Sequence, residues 1–227
     1  MRRAIHAGDA LLFQRILRSH PHLLHNPDST PLGLSNSNLH LAAAQGHRKI
    51  CDVLLDAGHE DPSPALNESH QTALMLAARA GHVEVARVLC EYDDAVILRR
   101  DVRGRDAIME ASVGGHDGVL ELLLAHVPGG AYAAVQRADA EGNTALHFAT
   151  SNGNLTSLRI LLVAGADVDR VNIWNWTPAA YSATVQAEVY LKSLVAEVSK
   201  RKQLRKEIEA TKKGGTVRVV KSDSDDE

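Results

Sequence analysis

Aromatic side chains make up only 4% of this chain of 227 residues, and its two tryptophans lie together in "NIWNWTP". The two cysteines, Cys51 and Cys90, are too few for a disulfide framework. Lone thiols of this kind read as small, reduced, buried residues of an intracellular protein. No apolar run approaches the roughly 18 residues of a membrane span. Arg2 and Arg3 open the chain without an apolar core behind them, so no secretory signal is expected. A net charge of −3 lacks the positive excess of a general nucleic-acid binder, and no specific nucleic acid is expected as a partner. The short motifs of catalysis are missing too. There is no Gly-x-Ser-x-Gly, no His-Glu-x-x-His, no Walker phosphate loop and no glycine-rich dinucleotide turn. The chain reads as no enzyme, with no catalytic residues, no cofactor and no metal.

A period is present instead. Gly-His recurs at Gly46-His47, Gly81-His82 and Gly115-His116, in steps of 35 and 34 residues. Gly8-Asp9 and Gly153-Asn154 continue the series, 38 residues to either side. A spacing of about 33 residues is the mark of stacked helix pairs. Eight residues after each glycine stand Ile16, Leu54, Leu89, Leu123 and Leu161. Nine after stand Leu17, Leu55, Cys90, Leu124 and Leu162, and Leu12, Ile50, Val85 and Val119 precede by a helical turn, with Ser157 the exception. That is one buried stripe at helical spacing, repeated. The same offsets applied to Gln186 mark Leu194 and Val195 in a sixth unit. No unit can bury its stripe alone, so the units must stack into an elongated solenoid.

The turns make physical sense. Gly46, Gly81, Gly115 and Gly153 suit a left-handed end to each first helix. Thr72, Thr144 and Thr177 are placed to cap its start, with Pro178 in the first turn. The small pairs Ala42-Ala43, Ala77-Ala78, Ala111-Ser112, Ala149-Thr150 and Ser182-Ala183 let neighbouring helices approach closely.

The stretch "GNTALHFATSNGN…LRILLVAGADVD" resembles an ankyrin repeat nearly residue for residue. The resemblance implies an all-α ankyrin-repeat solenoid over residues 1–196, in units of approximately 1–35, 36–69, 70–103, 104–141, 142–174 and 175–196. The first unit begins part-way through its first helix. Met75, Met109 and Ala180 depart from the histidine kept at His40 and His147. Insertions lie at "NPDSTPLGLSN" and "HVPGGAYAAVQRA", where they enlarge loops. The Asp-His-His-Cys run of ankyrin-bearing acyltransferases is absent. The opening "AIHAGDALLFQRILRSHPHLLHNPD", the stretch "ICDVLLDAGHED" and the closing "NWTPAAYSATVQAEVYLKSLVAEVSKRK" also resemble the fungal ankyrin-repeat subunits of target of rapamycin complex 2. That resemblance implies a peripheral subunit of a signalling kinase assembly, cytoplasmic and peripheral at the plasma membrane, with kinase-complex subunits as partners. The alternative is a dedicated chaperone for one basic client, such as a ribosomal protein.

The histidines number 12, but spacing argues against a metal site. His47, His82 and His116 occupy one repeat position, so they fall in successive units about 10 Å apart. Zinc ligands sit near 2 Å from the ion. His20, His22 and His25 read as a solvated helix end and loop. His40 and His147 are expected to hydrogen-bond backbone between repeats. In ankyrin stacks the first helices and turn tips line a concave face. One exposed first-helix position recurs as Leu41, Leu76, Glu110, Phe148 and Tyr181, a candidate contact stripe, with interhelical packing as the other reading of the same position. The turn tips vary through Asn67, Glu68, Arg100, Asp101, Arg103, Asp139, Glu141, Asn172 and Trp174. Varied tips over a constant scaffold specify partners at little cost to the core.

The end of the chain differs in kind. From about Ala187 a continuous helix is predicted, with 197–213 as a basic extension. Residues 200–213 carry seven Lys or Arg against two Glu. Lys200, Arg201, Lys202, Arg205 and Lys206 can make weak contact with an acidic membrane or partner; a solvated helix end is the plain alternative. Gly214-Gly215 breaks the pattern, and 214–227 reads as an acidic disordered tail. Ser222 and Ser224 each have an acid three residues on and are candidates for phosphorylation. Aligned with the preceding unit, Asn175 takes the place of Gly142 at a left-handed turn. Trp174 is then expected at the exposed tip, with Trp176 half-buried beside Thr177.

Overall fold

The computed structural model describes residues 1–27, 34–197 and 200. Its helices come in antiparallel pairs. The first helices are α1 (Arg2–His6), α3 (Asn38–Ala44), α5 (Ala73–Ala80), α7 (Ala107–Gly114) and α10 (Ala145–Asn152). Their partners are α2 (Ala10–Ser19), α4 (Arg48–Asp56), α6 (Val83–Tyr92), α8 (Asp117–His126) and α11 (Leu155–Val163). Short 3₁₀ turns cover Pro21–Leu23 and Asp94–Leu98. A last helix, α12, runs over 185–197. Among the described residues the one strand-like pairing is an isolated antiparallel bridge between Ala138 and Thr144. First helices pack on first helices and second on second along the whole stack.

The caps explain why the helices start and stop where they do. Thr72 and Asp106 side chains accept the N–H of Met75 and Met109, three residues on. Ser37 and Thr144 instead form capping boxes with His40 and His147. All five glycines that turn each pair, Gly8 to Gly153, have left-handed backbones. At Gly46 a Cβ would come within 2.6 Å of the His82 ring, so the residue must be glycine for space as well as for φ. His82 in turn donates from Nε2 to the Ala44 carbonyl at 3.0 Å. His82 thus clamps two repeats, and the His47 and His116 rings pack in the same way against Gly8 and Gly81.

The core is one continuous apolar band from Ala4 to Leu191. Ala42, Ala43, Ala77, Ala78, Ala111 and Ala149 are fully buried between first helices. Leu54, Leu89, Leu123 and Leu161 line the second-helix side. Each such leucine stabilises the fold by about 1.5–3 kcal/mol through burial alone. Cys51 and Cys90 are part of this band, and burial pushes both thiols up to about 12.

Three expectations need correction. In the first unit the buried residues are Phe13 and Leu17, while Leu12 is 43% exposed. Among the described residues no repeat packs on the far side of α2 from α4. In the last unit the first helix shrinks to a turn at 178–181, although Thr177 Oγ1 still accepts from the Ala180 N–H at 3.3 Å. Among the described residues that segment has a neighbouring first helix on one side only. Gln186 lies inside α12 and not at a hairpin, so the buried positions are Ala187 and Leu191, with Leu194 and Val195 half-buried. The insertion "HVPGGAYAAVQRA" builds an extra helix, α9 (Ala131–Val135), against α8. Part of the other insertion, and residues 201–227 with their basic and acidic runs, lie outside the described residues.

Candidate functional site

Four β-turn fingers project from the first-helix side of the stack, at Asn67–Gln71, Asp101–Arg105, Asp139–Asn143 and Asn172–Trp176. Each is built the same way. The side chain of the first residue accepts from the N–H groups two and four residues on, at 2.8–3.0 Å. The first residue's own N–H donates to the carbonyl four residues on. The fourth residue is left-handed: His70, Gly104, Gly142 and Asn175. Asn175 has φ +62, as its alignment with Gly142 required. Single backbone bonds tie each finger to the next, from Val102 to Ser69, Ala140 to Arg103 and Ile173 to Glu141. The side chains of Asn67, Asp101, Asp139 and Asn172, expected as contact tips, are instead buried turn staples.

Two histidines fix fingers to helices. His40 Nδ1 accepts from the Ser37 N–H, so Nε2 carries the proton and donates to the Gln71 carbonyl at 2.8 Å. His147 does the same between the Thr144 N–H and the Trp176 carbonyl. Burial is the main cause that lowers both ring pKa values, which favours the neutral ring at each position. This is the inter-repeat role expected of them.

The first-helix stripe divides. Leu41, Leu76 and Tyr181 are half-buried. Glu110 and Phe148, expected as exposed contacts, are only 1% and 6% exposed. Arginines cover them. Arg79 Nη1 donates to Glu110 Oε2 at 3.3 Å, and Arg105 Nη1 stands 3.7 Å from Oε1. The Arg105 guanidinium also lies 4.7 Å over the Phe148 ring and 3.7 Å from the buried Asp139 carboxylate. Burial raises the Glu110 pKa, against the pull of both arginines. Composition and spacing had not singled out Arg79 or Arg105. The signal was there: an acid on an otherwise apolar stripe needs a cation from a neighbouring repeat.

Two surface features result. The first is a notch of about 230 Å³ between the Asp101–Arg105 finger and helices α5 and α7. Arg79, Arg103 and Arg105 line it together with Asp101 and Glu110, beside Leu34 and Val102. Arg103 is exposed there, and Glu110 Oε1 has no hydrogen-bond partner. The second is an aromatic patch on the last finger. The Trp174 and Trp176 rings lie 6.3 Å apart with their planes tilted at 44°, Trp176 meets Tyr181 at 5.9 Å, and Ile173 beside them is 66% exposed. The tryptophans are 48% and 50% exposed, so Trp174 is not the barer ring as expected; among the described residues no further finger follows theirs. Ser222, Ser224, Arg201, Lys202, Arg205 and Lys206 lie outside the described residues, and Lys200 is exposed. Among the described residues no helix is long and apolar enough to cross a membrane, and no group of three or more His, Cys, Asp or Glu is placed to hold a metal.

The comparisons with known proteins agree with this geometry. The chain is 28% identical over 204 residues to the target of rapamycin complex 2 subunit AVO2 of Saccharomyces cerevisiae, covering 88% of this chain and 46% of that protein. It is 31% identical over 195 residues to a probable E3 ubiquitin-protein ligase, XBOS32, of Oryza sativa subsp. japonica, covering 75% of this chain and 38% of that one. The chain thus spans less than half the length of these curated relatives. In fold it matches the crystal structure of the ankyrin repeat domain of Bcl-3, with a TM-score of 0.62 and 24% identity over 83% of this chain and 79% of that one. The ankyrin-repeat family model matches in three overlapping copies, at 1–101, 39–135 and 95–172. The matches together span residues 1–172, and the chain belongs to the ankyrin-repeat family.

Proposed function

We propose that this chain is a non-catalytic adaptor that holds a protein partner on its fingers and first-helix face, as a peripheral subunit of a target of rapamycin complex 2 assembly. The observation that carries the complex-specific part is the similarity to the yeast subunit across 88% of the chain. The adaptor part is supported by the finger row: identical backbones, clamped by buried Asn and Asp, present unlike tips. The aromatic patch is its strongest anchor, because Trp and Tyr bury large area at low entropic cost. The basic run from Lys200 adds weak attraction to an acidic membrane, about 1 kcal/mol per cation near the surface.

Affinity purification of the tagged chain with mass spectrometry tests both parts. Kinase-complex components should co-purify, and the Trp174→Ala/Trp176→Ala variant should lose them while remaining folded. Recovery of other proteins without any kinase-complex component overturns the complex-specific part. Unchanged recovery by the double variant removes the aromatic patch as anchor.

A further inference from the structure

We propose that the arginine-lined notch seats a neutral carboxamide, the side chain of a glutamine presented by the protein partner. The proposal rests on the adaptor reading, because the notch lies on the finger and first-helix face, but not on the partner being a kinase complex.

The notch has no use for further net charge. Arg79, Arg103 and Arg105 are matched by Asp101 and Glu110 in its lining and by Asp139 beside Arg105. Another carboxylate would stand among acids, and another cation would stand among three guanidinium groups. What stays open is hydrogen-bonding capacity of both senses. Glu110 Oε1, on a side chain 1% exposed, has no donor among the described residues. Arg105 Nη1 stands 3.7 Å from it, too far for a hydrogen bond. The guanidinium of Arg103, exposed at the same notch, has no acceptor among the described residues. An acceptor buried without a donor is costly, so a ligand that supplies one is favoured.

A glutamine side chain carries both groups. Its carbonyl oxygen accepts and its NH₂ donates, from one end of one planar group. A trans peptide bond cannot do the same, since its C=O and N–H point to opposite sides. Size agrees. The notch, at about 230 Å³, is smaller than the roughly 300 Å³ at which small-molecule pockets begin, and far larger than the roughly 30 Å³ of one water. The exposed Leu34 and Val102 beside it give the two methylenes of glutamine an apolar seat. The site is also formed in advance. Arg79 is bonded to Glu110 at 3.3 Å, and Arg105 is held over the Phe148 ring beside Asp139, so little side-chain freedom is lost on binding.

The test titrates the full chain with capped tripeptides, acetyl-Gly-Xaa-Gly-N-methylamide, in which Xaa is Gln, Glu, Lys or Met. The caps carry no primary amide, so only the central side chain differs. The backbone amide signals of Val102, Arg103, Gly104 and Glu110 report binding. The Gln peptide should shift them saturably at about 1–10 mM, the range for a ligand with few buried atoms. The Glu, Lys and Met peptides should shift them at least fivefold less at the same concentration. Arg103→Met removes the open donor, and Glu110→Gln turns the open acceptor into a donor; each should weaken the Gln peptide at least threefold. Arg103 is exposed, so Arg103→Met decides if Glu110→Gln fails to fold, with the unchanged remainder of the spectrum as the check. Absence of a saturable shift means that the notch holds water alone and overturns the proposal. Equal shifts by the Glu, Lys or Met peptide, or an undiminished Gln response in Arg103→Met, overturn it too. None of these outcomes bears on the recovery of kinase-complex components, by which the adaptor reading is judged.

Discussion

The fingers at Asp101–Arg105 and Asn172–Trp176 share one backbone and present opposite surfaces. Both are stapled by a buried Asx side chain, and both place a left-handed residue at the fourth position. One points arginine into a polar notch beside a buried carboxylate; the other points tryptophan into solvent. Shape is set by residues that never reach the surface, and recognition by those that do. A ligand-contact change at Arg103 or Trp174 is therefore cheap for the fold, while a change at Asp101 or Asn172 is not. The same division separates Phe148 from Trp174, two aromatic rings that the sequence alone ranked together.

The largest expected difference is between those two rings. Phe148→Ala should cost about 3 kcal/mol, because it empties a buried site under Arg105. For a domain of this size that lowers the thermal midpoint by about 6–12 °C. Trp174→Ala should move it by less than about 2 °C, as an exposed substitution. Circular dichroism melts decide, and a reversed order would remove the distinction between covered and bare aromatics.

The staples come next. Asp139→Ala leaves the N–H groups of Glu141 and Asn143 without their acceptor and should cost about 2–3 kcal/mol. Asn172→Ala does the same to Trp174 and Trp176 through a neutral acceptor and should cost about 1–2 kcal/mol. Equal and negligible losses by urea titration would show that water satisfies these turns.

Backbone strain gives a smaller effect. Asn175→Val should cost about 1–2 kcal/mol, since a branched side chain resists φ +62, whereas Asn175→Gly should be neutral to slightly stabilising. If Val is tolerated as well as Gly, the left-handed turn is not required.

The most gradual effect is with pH. His40 and His147 have pKa values lowered by burial from an unfolded value of 6.5, so they bind protons in the unfolded chain first. Their contribution is fully present above pH 6.5 and is lost as pH falls below it. Glu110 and Asp106, raised by burial, act with the opposite sign at lower pH, from about their ordinary 4.5 and 3.8 upward. His147→Met, which copies Met75 and Met109 at the same repeat position, should flatten the stability slope between pH 7 and 5.5. An unchanged slope would mean that other groups carry it.

Much of this architecture was legible because a repeat states its rule several times. Glycine at 8, 46, 81, 115 and 153 and leucine eight residues after four of them fix helix ends and the buried stripe with no tertiary information. The rule fails where its neighbours are missing. At Leu12 and at 178–186 the described residues supply a neighbouring repeat on one flank only, so the register that satisfies two-sided burial no longer holds. The site was less legible. Glu110 and Phe148 sit in one helical register with Leu41 and Leu76, and no periodicity tells whether such a position will be covered.

The sequence by itself determined the solenoid, its capped and glycine-turned helix pairs, and the left-handed turn at Asn175. These depend on contacts a few residues apart, or on a pattern repeated in every unit. Only the tertiary structure decided which side chains face water. Arg105, Asp139, Phe148 and Glu110 come from adjacent units and meet across the stack, and their burial follows from the length and charge of the particular residues that happen to stand one repeat apart.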